Sequence, residues 1–175
     1  MNQNFAFGLF ILLTCLNLFA NAQDWKTLEN DDYTIDYPDN WQTDESGQMG
    51  TSFILLSPQT SDSDDFKENV NLLRQDLSAY DLNLEEFVTL SKGQIESMIE
   101  ESEILESEIF TNVTPNYFRT TYTGKQYNRT LHFTQYYWVT DNSAYVLTFT
   151  SELDVYDDYK KTGEQIMKSF KLKAE

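Results

Sequence analysis

The sequence has 175 residues, 29 acidic against 12 basic side chains for a formal net charge of −17, and 15% aromatic content. Its single cysteine and single histidine exclude a cysteine-built zinc site, a multi-histidine metal centre and a disulfide framework. Its acid excess opposes binding to nucleic-acid phosphates and anionic lipid, while 40% hydrophobic content is enough to build the core of one domain.

Residues 1–22 carry no charged side chain. The apolar run from Phe5 to Phe19 is short for a bilayer span, and Ala20-Asn21-Ala22 offers the small-x-small pattern of a signal-peptidase site. This predicts a signal peptide over 1–22 and a single exported domain over 23–175, periplasmic or extracellular, with no membrane span after cleavage. A retained anchor and lipidation of Cys15 are the alternatives. Thr14 precedes that cysteine where a smaller residue is usual, and the apolar run continues beyond it. Cleavage discards Cys15, so the exported chain folds independently of redox conditions and carries no thiol nucleophile.

Trp25–Leu28 and Tyr33–Tyr37 read as a hairpin across the turn-forming Glu29-Asn30-Asp31-Asp32. Pro38 ends the second strand, and the following turn folds Trp41 back onto the core. Phe53–Leu56 is a continuous apolar run suited to a strand buried on both faces. Residues 58–65 form a polar, acidic loop, and Val70–Leu77 is a further strand. Asn83 with Glu86 three residues on, flanked by Leu82 and Phe87, is a capping box with a hydrophobic staple. The apolar period of Leu84, Phe87, Val88, Ile95, Met98 and Ile99 carries that helix to about Glu101. Strands follow at Ile104–Phe110, Tyr117–Thr123, Thr130–Val139 and Ala144–Ser151. Gly124-Lys125 and Asp141-Asn142 are the predicted turns of an antiparallel meander through the last three. A last helix starts at Asp154 and buries Val155, Tyr159, Ile166, Met167 and Phe170. Strands, helix, strands, helix predicts an α+β architecture, a mostly antiparallel sheet with helices packed on it.

Four segments together resemble a known family. Tyr33-Thr34-Ile35-Asp36-Tyr37-Pro38-Asp39-Asn40-Trp41 is similar to the opening of PsbP-like and DcrB-like domains, and Asp65-Phe66-Lys67-Glu68-Asn69-Val70-Asn71 to their entry into a central strand. Asn83-Leu84-Glu85-Glu86-Phe87 and Ile166-Met167-Lys168-Ser169-Phe170 match in kind and order, so the resemblance spans nearly all of residues 25–172. It implies an α/β/α sandwich around an antiparallel sheet. It also implies a non-enzymatic adaptor or assembly role like that of an extrinsic photosystem subunit or a GTPase-binding transport protein, with no catalytic residues to carry over. The acidity here is unlike a photosystem subunit that docks through basic residues.

The chemistry left open is narrow. No Gly-x-Ser-x-Gly elbow accompanies His132, no glycine-rich loop cradles phosphate, and no cofactor is called for. Asp62, Asp64, Asp65 and Glu68 form an oxygen-rich loop that would suit calcium if they converged, although the EF-hand glycine and closing glutamate are missing. Otherwise they are a solvated loop, as the cluster Glu100, Glu101, Glu103, Glu106 and Glu108 is a charged face. A carboxylate-based hydrolase would need one acid held protonated in an apolar pocket. The most distinctive surface is aromatic. On Thr130–Val139, period-2 alternation sets Leu131, Phe133, Tyr137 and Val139 on one face and His132, Tyr136 and Trp138 on the other, with Tyr117, Arg119 and Tyr122 on the neighbouring strand. One face packs under a helix. The other is either covered core or a platform for a protein partner, since tyrosine and tryptophan dominate binding hot spots. The expected function is a secreted or periplasmic, non-enzymatic binding or accessory domain acting through protein contacts. A small-ligand or calcium-binding module is the alternative.

Overall fold

A computed structural model describes residues 23–173; the predicted signal peptide and Cys15 lie outside them. Strands β1 (Trp25–Glu29) and β2 (Tyr33–Pro38) form the expected hairpin. Asn30 Oδ1 accepts from the backbone N–H groups of Asp32 and Tyr33 and so fixes its turn. Next come β3 (Gln42–Asp44), β4 (Thr51–Leu56) and β5 (Asn69–Asp76). After helix α1 (Leu84–Met98) the chain runs through β6 (Glu100–Phe110), β7 (Tyr117–Gln126), β8 (Arg129–Thr140) and β9 (Ser143–Glu152). Helix α2 (Tyr156–Ser169) and the short β10 (Lys171–Leu172) complete it. Seven strands make one antiparallel sheet in the order β3-β4-β5-β9-β8-β7-β6, and β1-β2-β10 make a smaller one.

The strand register sorts side chains strictly between two faces. One face carries Val70, Leu72, Tyr136, Trp138, Leu147 and Phe149, and the residues packed on it include Ile166 and Met167 of α2 together with Tyr33 and Ile35 of β2. The other carries Tyr137, Ala144 and Val146 beneath Leu84, Phe87 and Val88 of α1, continuing into Tyr122, Leu131 and Phe133 beneath Ile95. The layers are therefore α2 with the small sheet, the seven-stranded sheet, and α1. This is the sandwiched α+β architecture expected from the sequence. Full burial of Ile166 and Met167 contributes about 1.5–3 kcal/mol each before entropy is counted.

Asn83 and Glu86 form the predicted capping box in full, each side chain accepting from the other's backbone N–H. Three local expectations are corrected. The helix ends at Met98, not near Glu101, because Ile99 is already extended and Glu100 pairs with Lys125. Gly124 and Lys125 are not a turn. They sit inside β7 opposite Leu131 and Thr130, and the chain reverses at Tyr127-Asn128, with φ of 50° and 66°. Gly124 serves a different end, since a Cβ there would lie 2.3 Å from Ile99 Cγ2. Asp154 caps nothing: it lies in a 3₁₀ turn over Leu153–Val155, and Val155, which brings no side-chain hydrogen bond, precedes α2. The Asp141-Asn142 turn is as predicted, with both residues at positive φ (49° and 55°), the signature of a type I′ hairpin.

A groove beside the second helix

Helix α2 covers β9 and β5 but stops short of the outer strands, so a groove runs between it and β6–β7 over the floor of β7 and β8. Two cavities of about 370 Å³ each make up this groove, and they meet at Tyr136. Five of the six residues singled out from the sequence, His132, Tyr136, Trp138, Tyr117 and Arg119, line it. His132, Tyr136 and Trp138 are buried, whereas Tyr117 and Arg119 are half-buried. Tyr122 is on the opposite face, stacked on Phe133 at 4.6 Å, because β7 alternates as strictly as β8.

The end near the β6–β7 loop is apolar. Phe110 stacks on Tyr117 at 4.7 Å, Tyr117 on Tyr136 at 4.9 Å, and Trp138 lies 5.1 Å from Phe170. Val113 and Pro115 from the loop and Leu172 from β10 complete this end. Burial pushes the Tyr136 hydroxyl up to about 12, so it stays a neutral donor at any physiological pH.

The other end is polar. Arg119 reaches Glu106 at 3.1 Å and Glu108 at 3.2 Å and lies over the Phe110 ring. The His132 ring stacks on Tyr156 at 3.7 Å between centroids. Burial, with the nearby Lys160 ammonium adding to it, lowers His132 to about 4, leaving the imidazole neutral at pH 7. Lys160 sits over the Tyr156 ring and has no carboxylate within 4 Å among the described residues. Glu164 is held below the usual carboxylate range mainly by its hydrogen bond from Lys168, the reverse of what a general acid requires. Thr121, Tyr156, Lys160 and Glu164 were not singled out from the sequence. Tyr156, Lys160 and Glu164 recur every four residues along one helix, a spacing that places them on one face.

Elsewhere the acidic loop is committed to internal bonds. Asp64 accepts from the Thr60 backbone and hydroxyl, Asp65 pairs with Arg129 at 2.7 Å, and Glu68 is buried and accepts from Ser57 Oγ. Among the described residues no three histidine, aspartate or glutamate side chains converge to hold an ion, and no helix is long and apolar enough to cross a membrane.

The sequence matches no family model and no curated relative. The fold, however, is that of several solved structures. A cyanobacterial PsbP (CyanoP) from Synechocystis superposes over 93% of this chain and 99% of its own, with a TM-score of 0.61 at 14% identity. A Pseudomonas aeruginosa protein of unknown function covers 86% of this chain and 99% of its own (TM-score 0.62, 13% identity). LpqN of Mycobacterium tuberculosis, described as involved in cell envelope biogenesis, covers 88% and 93% (TM-score 0.59, 13% identity). Likeness at such low identity speaks for architecture, and the architecture of this chain is the PsbP-like fold.

Proposed function

We propose that the chain is an exported accessory domain, without catalytic activity, that binds a protein partner along the α2 groove. The observation that carries this reading is the groove itself, where a run of aromatic side chains is bordered by basic residues. Four of the 12 basic residues of the sequence (Arg119, Lys160, Lys168 and Lys171) line it, against two of the 29 acids (Glu106 and Glu164). Arg119 and Lys168 are paired with Glu106, Glu108 and Glu164, so the groove is less acidic than the chain as a whole, and aromatic and arginine side chains are those that anchor interfaces. The uncharged leader over 1–22 and the envelope role named for LpqN support export, as the PsbP-like neighbours support an accessory role.

The reading is tested by placing a photo-crosslinking residue at Val113, on the groove rim, or at Leu90, exposed on α1, in the native host. A discrete adduct from Val113 that is absent from Leu90 is expected. Identical patterns from both positions, or none from either, would count against a partner in the groove.

A further inference from the structure

Three buried polar atoms are without a hydrogen-bond partner among the described residues: Arg119 Nε, Thr121 Oγ1 and His132 Nδ1. All three belong to side chains lining the polar cavity, and His132 is only 5% exposed. Leaving such an atom unmatched is costly, and folded proteins keep very few of them. All three lie around one cavity, whose contents are the nearest source of partners. Water supplies them when nothing else is bound, but water has no use for the rest of the groove's design.

The donor set indicates the missing group. Arg119 Nε and the Lys160 ammonium only donate, while the Thr121 hydroxyl and the neutral His132 ring can each turn a hydrogen outward. A carboxylate, acceptor-only with two oxygens, matches four such donors. Glu106 and Glu164 on the rim weigh against a dianion such as phosphate more than against a monoanion. Beyond Tyr136 the groove becomes aromatic, so the rest of the ligand is apolar.

We propose that the polar end of the groove is a carboxylate subsite formed by Arg119, Thr121, His132 and Lys160, and that the ligand's apolar body lies along Tyr136, Tyr117 and Trp138. The carboxylate arrives on a free organic acid or as the terminal carboxyl group of a peptide. The subsite rests on the groove being the binding face, as proposed above, but not on the partner being a protein.

The single histidine makes the test direct, because its ring nitrogens give unambiguous NMR signals. The ¹⁵N-labelled protein is titrated with 3-phenylpropionate, its amide, and the peptide Gly-Gly-Phe as free acid or C-terminal amide. Both acids are expected to move the His132 nitrogens and the Thr121 amide and to raise the His132 titration midpoint, with each amide at least about tenfold weaker. Binding by the free acid alone identifies a small-molecule site, and stronger binding by the peptide acid identifies a peptide terminus. Lys160→Gln and Thr121→Val should each weaken the acid about tenfold, and Lys92→Gln on α1 should not. Lys160 is exposed, so its variant tests the site even if Thr121→Val disturbs folding. Equal binding of acid and amide, no shift at millimolar acid, or equal displacement by inorganic phosphate would each overturn the subsite. Val113 crosslinks without acid binding would remove the subsite and leave the accessory reading. Acid binding without crosslinks would do the opposite.

Discussion

The two faces of β8 both carry polar groups and treat them differently. Towards α1, the polar residues close on one another: the Tyr137 hydroxyl donates to Gln135 Oε1, and Gln135 Nε2 donates to Thr148 Oγ1 at 3.1 Å. The neighbouring strand adds Asn71 Nδ2 donating to Asn69 Oδ1, and Arg129, the one cation lining the cavities there, is neutralised by Asp65 and Glu152. Towards α2, Arg119 is likewise paired with Glu106 and Glu108, but Arg119 Nε, Thr121 Oγ1 and His132 Nδ1 have no hydrogen-bond partner among the described residues, and Lys160 lies over the Tyr156 ring with the Glu164 charge acting on it at longer range. A satisfied network specifies a fold, and an unsatisfied one is retained at a cost in stability. By that criterion the polar groups of the α1 face serve the fold, whereas those of the α2 face are the ones the proposed ligand would engage.

The comparison can be broken at several points, and the largest expected effect is at the aromatic end. Trp138→Ala removes a 94%-buried ring from between Tyr117, Tyr136 and Phe170 and should cost about 3–5 kcal/mol in urea denaturation. A cost below about 1 kcal/mol would mean the apolar end is not part of the core. Acid comes next. His132 has a folded-state value near 4 against about 6.5 in the unfolded chain, so the unfolded state takes up the proton first. Its contribution is complete above pH 6.5 and is lost as pH falls towards 4, about 3 kcal/mol in all. Stability measured from pH 7 to 4 should therefore fall less steeply in His132→Phe than in the parent by about that amount. Parallel curves would show an accessible imidazole and an already open cavity.

A smaller effect tests how tightly α2 is seated. Gly163 is buried, and a Cβ there would lie 2.6 Å from the Phe149 ring, so Gly163→Ala should cost about 1–3 kcal/mol by overpacking despite alanine's better helix propensity. The smallest effect is the sharpest for the comparison. Thr148→Val breaks the closed network and should cost about 1 kcal/mol, whereas Thr121→Val removes an orphan hydroxyl and should be neutral or slightly stabilising without ligand. Equal costs for the two would erase the distinction between the faces.

The floor of the groove was legible because strand alternation is a local property. The period of two in residues 130–139 separates His132, Tyr136 and Trp138 from Tyr137 before any tertiary contact is known. Likewise, Asn83 and Glu86 write their own reciprocal hydrogen bonds into a spacing of three residues. The wall of the groove was not legible. Lys160 and Glu164 join the site only because Gly163 lets α2 seat on Phe149, and no pattern along the helix announces which strand lies beneath it. The reversal at Tyr127-Asn128 was hidden for another reason: a tyrosine with positive φ, 95% exposed, is not turn chemistry, and Gly124 nearby offered a better-looking candidate. The strands β3 and β10, three and two residues long, are too short for any periodicity to show.

The small sheet has a consequence for the order of assembly. β10 pairs Lys171 with Thr34 and Leu172 with Tyr33, joining opposite ends of the described chain, while within the meander β6–β9 each pairing joins sequence neighbours. Closing the longer loop carries the larger entropic penalty, so β10 docks after the meander has formed and is the cheapest strand to release again. Lys171 and Leu172 also border the apolar end of the groove. One border of the groove is thus set by the last piece of the fold to arrive, and the short pairing with β2 and the Lys173 bonds to Glu29, Asn30 and Asp32 hold it there.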